Sequence, residues 1–146
     1  MRYQLIPAAL LLALAPTLPA VAAESVPDLT GTWTVTFEAV GFRKPAENGQ
    51  PSHYARSIDS SFSIDWQDGY RVAGHEIDEK SSTAHPLVTG EQIAGVIGWD
   101  GATLQMVDDN GFHDCRILSP ESMRCVYRHV LPERSDIALS AWTKQK

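Results

Sequence analysis

Asp108, His113, Tyr127 and His129 lie within one short stretch of the chain, and Glu76 stands further upstream. Two imidazoles and a carboxylate are the donor types that suit zinc, copper or non-haem iron. The same groups suit proton transfer, with histidine titrating near neutrality and a tyrosine hydroxyl able to donate to an oxyanion. The spacing matches no ligand motif, however, and no activated nucleophile accompanies it. A hydrogen-bonded network or a solvated polar rim uses the same residues. No metal, cofactor or catalytic residue is therefore assigned, and an isomerase or cyclase ranks below a binding protein. Cys115 and Cys125, the only cysteines, lack the C-x-x-C spacing of a redox or zinc site.

What positions these groups follows from the rest of the chain. The opening "MRYQLIPAALLLALAPTLPAVAA" has Arg2, an apolar run and small residues at Ala22-Ala23, the three-part pattern of a secretory signal peptide. Pro7, Pro16 and Pro19 and the short apolar run argue against a membrane-spanning helix. Residues 1–23 are read as a leader, leaving 24–146 as one soluble domain in the periplasm or outside the cell, without membrane insertion. Removing Arg2 leaves 11 basic against 18 acidic residues and a formal charge of −7. With no long run of Lys or Arg, nucleic acid is excluded as a partner.

Beyond residue 30 apolar residues recur at every second position, as in "GTWTVTFEA" and "SFSIDW", so the domain is all-β. A three-residue loop at Gln67-Asp68-Gly69 would set Trp66 opposite Tyr70 and Ile64 opposite Val72. Asp100-Gly101 predicts a type I′ hairpin pairing Trp99 with Ala102, Ile97 with Leu104 and Gly95 with Met106. Asn110-Gly111 predicts another, pairing Met106 with Cys115 and Asp108 with His113. Around Ser119-Pro120-Glu121 an odd-length loop sets Cys115 opposite Cys125. Facing Cα atoms about 4.5 to 5.5 Å apart suit a disulfide.

The predicted strands are 31–39, 61–66, 70–77, 92–99, 102–108, 112–118, 123–130 and 136–144. Eight antiparallel neighbours can close first against last, which predicts an up-and-down barrel, with a sandwich as the alternative. The short turns then share one end. The long connections, 40–60, 78–91 and 131–135, share the other, where functional loops are expected. Trp33, Trp66 and Trp99 fall towards the closed end as an aromatic floor. Glu76, Asp108, His113, Tyr127 and His129 fall towards the open mouth. The 40–60 connection, with Phe42, His53 and Tyr54, is either a plain loop or a lid. His75 faces outward, His85 lies in a loop, and Arg116, Arg124 and Arg128 share an outer face with Asp114.

Gly31-Thr32-Trp33 resembles the Gly-x-Trp signature of the lipocalin and avidin-like barrels, the calycins. Lys144 resembles the basic residue that covers this tryptophan in many of them. The resemblance implies that Gly31, Trp33 and Lys144 are structural parts of the closed floor. "QDG", "GWDGATLQMVDDNG" and "CVYRHV", in this order, also resemble small exported bacterial proteins of unassigned function, which implies a fold and no activity. No avidin-type set of biotin-binding residues can be placed, so biotin is not carried over.

The expected function is binding of a small, partly apolar molecule at the mouth. Tyr54, Glu76, Asp108, His113, Tyr127 and His129 would hold its polar atoms, while Phe62, Ile64, Val72, Leu104 and Met106 line the middle. The alternative is a solid barrel that acts on another protein through its loops, with an apolar patch near Phe42 and Tyr54. Composition leaves the oligomeric state open.

Overall fold

Alternation of apolar and polar residues closes into a continuous wall. The computed structural model describes residues 25–44, 49, 52–77 and 90–146. Its strands are β1 Gly31–Arg43, β2 Ser52–Asp68, β3 Arg71–Ile77, β4 Gln92–Ile97, β5 Thr103–Val107, β6 Gly111–Ser119, β7 Ser122–Val130 and β8 Arg134–Lys144. They form a closed antiparallel barrel in sequence order, with β1 paired to both β2 and β8. Pairing the first strand with the last removes the two edge strands that an open sheet would have. The expected leader 1–23 and most of the 78–91 connection, His85 included, lie outside the described residues.

The wall is uneven in height. β1, β2 and β8 run 13, 17 and 11 residues, whereas β3, β4 and β5 run 7, 6 and 5. Most of the expected 40–60 loop is in fact paired strand, from Val40↔Ala55 to Arg43↔Ser52. Gly41 and the polar run after it mask this strand in the sequence. Phe42 and His53 face each other on the exposed outer side of the ribbon rather than over the mouth.

Three turns differ from their expected form. β2 and β3 are joined through Gly69 and Tyr70, between paired Asp68 and Arg71, with Gly69 at φ +58°. A bulge between Ile64 and Trp66 then puts Ile64 opposite Gly74 instead of Val72. A bulge swaps the faces of the residues beyond it. Trp66 therefore turns outward, 49% exposed, and Gln67 turns inward. There Gln67 accepts the Leu29 N–H at 2.8 Å and donates to Pro27 O at 2.8 Å, so the bulge anchors the segment ahead of β1.

At Asp100-Gly101 the expected Ile97↔Leu104 and Gly95↔Met106 pairs are present. The turn itself spans Gly98 to Gly101, with the Gly101 N–H donating to Gly98 O at 2.9 Å and Asp100 Oδ1 accepting from Ala102 and Thr103. Trp99 consequently stands 89% exposed, edge-on to Tyr70, outside the floor. The β5–β6 turn is Asp109-Asn110, two residues from the expected register, giving Met106↔His113 and Leu104↔Cys115. The shift is even, so the inward set is unchanged. Asp108 explains it, because its carboxylate accepts the Asn110 N–H at 2.9 Å and stabilises a turn one step earlier.

The floor is built from Trp33 and Trp142, both fully buried, meeting edge to face at 6.4 Å with Leu29 packed in the same core. Both indoles have acceptors: Trp33 Nε1 donates to Leu29 O at 3.0 Å and Trp142 Nε1 to Ser140 Oγ at 3.1 Å. Lys144 Nζ lies 5.9 Å above the Trp33 ring and donates to Asp28 O. Gly31 takes φ +131°, and a Cβ there would come within 2.8 Å of Lys144 Cε.

Cys115 and Cys125 are paired residues and form a disulfide with Cα atoms 4.0 Å apart. A bulge at Leu118 preserves the odd count around the turn. Reduction, or Cys125→Ser with Cys115→Ser, is expected to remove about 2–3 kcal/mol of stability. Urea melts with and without reductant measure it, and coincident curves would deny the bond a structural role.

Candidate functional site

Inward side chains are large at the floor and small at the level of Ala39 and Ala138. On β1 they run Trp33, Val35, Phe37, Ala39, Gly41, and on β8 Trp142, Ser140, Ala138, Asp136. Ala39 and Ala138 are directly paired, beside Arg56 on one side and Tyr127 on the other. Bulk below and two alanines above leave a hollow of about 210 Å³ in the upper barrel. Of the five residues expected to line the middle, only Phe62 reaches it; Ile64, Val72, Leu104 and Met106 belong to the solid lower core.

Four expected mouth residues beside Glu76 all border the hollow: Asp108, His113, Tyr127 and His129. His113 is opposite Tyr127, their rings 4.4 Å apart, and it is 1% exposed among Phe37, Phe62 and Trp142. Its Nε2 lies 3.4 Å from Asp108 Oδ2, and neither ring nitrogen makes a hydrogen bond. Burial works to raise the Asp108 pKa, but His113, the Asn110 N–H and Tyr127 together hold it below its ordinary value. Burial, followed by the Asp108 charge and hydrogen bond and the charges of Glu91 and Glu76, pushes the Tyr127 phenol well above its usual range.

This makes the Asp108 contribution acid-sensitive. A folded-state pKa below the unfolded value of about 3.9 stabilises the fold at higher pH, and that share is lost as pH falls through the folded value. Asp108→Asn should therefore flatten the decline of stability below about pH 4. Matched melts of both proteins from pH 6 to pH 2.5 read the difference, and parallel profiles would contradict the assignment.

A second cluster, absent from the expectation, surrounds Asp136. Its Oδ2 lies 3.4 Å from His129 Nδ1, 3.6 Å from Arg134 Nε and 3.9 Å from Arg56 Nη2. Tyr54 donates its hydroxyl to Asp136 Oδ1, which raises the phenol's pKa. Tyr54 thus supports Asp136 from the rim instead of bordering the hollow. Gly41 separates them on β1, and a Cβ there would lie 2.2 Å from Asp136 Oδ1 and 2.8 Å from the Tyr54 hydroxyl. Gly41→Val should break this bond and cost about 1–3 kcal/mol by overpacking. Urea unfolding tests it, and an unchanged midpoint would mean that the contact is slack.

Gly111 has a comparable role. A Cβ there would meet Tyr127 Cε2 at 2.4 Å, so the glycine makes room for the phenol ring. On the outer face, Arg128 pairs with Asp114 and His75 with Asp65. Among the described residues no group of three His, Cys, Asp or Glu is placed to hold a metal ion.

A larger concavity of about 700 Å³ lies outside, over Ala73, Ala94 and Gly95, between Trp66, Val107 and Phe112. Its lining is largely apolar, whereas charged groups gather around the hollow at the mouth.

No family model and no curated protein sequence matches this chain. Among solved structures, a redesigned β-barrel aligns with a TM-score of 0.48 at 12% identity, over 86% of this chain and 100% of that one. An S-type phycobiliprotein lyase from Guillardia theta aligns with a TM-score of 0.35 at 8% identity, over 80% of this chain and 88% of that one. Neither likeness is strong enough to carry an argument.

Proposed function

We propose that this chain is an exported, calycin-like barrel that binds one small, partly apolar molecule in the upper hollow. The observation that carries the reading is the hollow above Phe37 and Phe62, into whose lining His113 and His129 bring buried ring nitrogens with no hydrogen-bond partner among the described residues. Buried polar atoms without partners are costly unless something binds them. At about 210 Å³ the hollow has room for roughly seven waters, below the range of about 300–1,000 Å³ for drug-sized ligands. A compact metabolite fits this size better than a long lipid.

The Lys144–Trp33 contact and Gly31 support the calycin-like part of the reading. The disulfide fits an oxidising compartment and so supports export. Intact mass of the protein recovered from the envelope should begin at Ala23 or Glu24.

Titration with the neutral probe 4-methylbenzyl alcohol tests the binding reading. Saturable one-to-one binding is expected, with Kd on the order of a millimolar or tighter, and amide shifts clustered at Phe37, Phe62 and Ala138. Shifts confined to Trp66 and Phe112, or no shifts, would reject it.

The outer concavity favours a second reading, a surface that meets another protein. Trp66, Val96, Val107 and Phe112 are exposed around it, while Val40 and Phe42 are exposed at the place where an apolar patch was expected. Trp66→Ser with Phe112→Ser would then alter association and leave probe binding intact.

A further inference from the structure

Charge is sorted across the mouth. The taller wall brings Arg56 from β2, Arg134 from β8 and His129 from β7 to the hollow, and the lower wall brings Glu76 from β3, Glu91 ahead of β4 and Asp108 after β5. Neither set is balanced internally. Two guanidinium groups and an imidazole share the single Asp136 carboxylate, whose Oδ2 makes no hydrogen bond while Oδ1 is taken by Tyr54. Arg134 Nε and His129 Nε2 are buried without partners, and His129 is only 6% exposed.

On the facing side, Glu76 accepts from Ser60 and Glu91 from Asn110 Nδ2 at 3.2 Å, both neutral donors. Among the described residues the nearest basic group to this set is His113, 3.4 Å from Asp108. Among the described residues, three carboxylates thus border one side of the hollow with only His113 as a basic group within ion-pair distance. Phe37, Phe62 and Tyr127 supply an aromatic surface between the two sets.

We infer that the ligand is a small zwitterion, an ω-amino acid whose ammonium and carboxylate are held apart by a short apolar or aromatic spacer. Its ammonium lies against Glu76, Glu91 and Asp108, and its carboxylate against Arg134, Arg56 and His129 Nε2. This rests on the hollow being a binding site and specifies what occupies it. A lone cation would leave the arginine side unmatched, and a lone anion would face the carboxylates. Each correctly placed charge replaces a missing charge-assisted hydrogen bond.

Calorimetry of the full chain with four probes tests the inference: 4-(aminomethyl)benzoate, benzylamine, benzoate and 4-methylbenzyl alcohol. The zwitterion should bind at least about tenfold tighter than each of the others. Glu76→Gln with Glu91→Gln should weaken the zwitterion and benzylamine about tenfold without weakening benzoate, and Arg134→Gln should weaken the zwitterion and benzoate about tenfold without weakening benzylamine. Melting curves verify that the variants fold. If they do not, the four affinities of the unaltered chain decide alone. Four equal affinities, or benzylamine binding tightest, would overturn the zwitterion while leaving a binding hollow. No binding by any probe, the neutral alcohol included, would remove both.

Discussion

Trp33→Ala is expected to destabilise the barrel by about 3–5 kcal/mol, lowering its melting temperature by about 10 °C or more. The indole is fully buried, packs edge-on against Trp142, donates to Leu29 O and lies beneath Lys144. Its removal opens a void where three parts of the chain converge, β1, β8 and the segment ahead of β1. It also leaves Leu29 O without its side-chain donor. Against a typical total of about 5–15 kcal/mol, such a loss takes much of the stability of one domain. Trp99→Ala provides the contrast. That side chain is exposed and contacts Tyr70 alone among the aromatics, so a change of about 0.5 kcal/mol or less is expected. Equal losses in the two variants, read by urea unfolding, would mean that the floor has been misplaced.

Ala138→Phe is expected to abolish probe binding and keep the fold. Ala138 is buried beside Ala39 and Tyr127 and lines the hollow. A benzyl group there occupies space that a ligand needs and replaces void by contact, so overpacking and filling oppose each other. Affinity for 4-methylbenzyl alcohol should fall at least about tenfold, while stability should change by less than about 1.5 kcal/mol. Titration beside a melting curve separates these effects. Unaltered affinity in a folded variant would place the probe elsewhere.

The strand count, the barrel and the disulfide were legible because each rests on a parity rule. Alternation distinguishes two faces, and Cys115 and Cys125 stand equally far from residue 120, so they face each other as long as the count around the turn stays odd, which the bulge at Leu118 ensures. The polar mouth was legible for the same reason: the Asp109-Asn110 turn is displaced by two residues, and an even shift keeps Asp108, His113, Tyr127 and His129 on one face. Trp66 was not, because the bulge beside Ile64 inverts the faces of the last residues of β2, and no local residue type demands that bulge. Its cause is remote, in the grip of Gln67 on Pro27 and Leu29.

The Asp136 cluster was missed at the ends of strands. β1 continues through Gly41, which reads as a breaker until its role as a gap between Tyr54 and Asp136 is visible. Arg56 then lies on a strand instead of a loop, and Arg134 enters β8 two residues before its expected start. The fall in side-chain size along β1 and β8 was available in the sequence. Given the correct ends, Ala39 and Ala138 mark the hollow without further information.

The most direct test of the central claim is a crystal soaked in 4-bromobenzyl alcohol, with the bromine located by anomalous scattering. A peak inside the barrel between Phe37, Phe62 and Tyr127, at the level of Ala138, is the predicted result. A peak only in the outer concavity between Trp66 and Phe112, with the interior empty, would contradict it and turn attention to the outer wall.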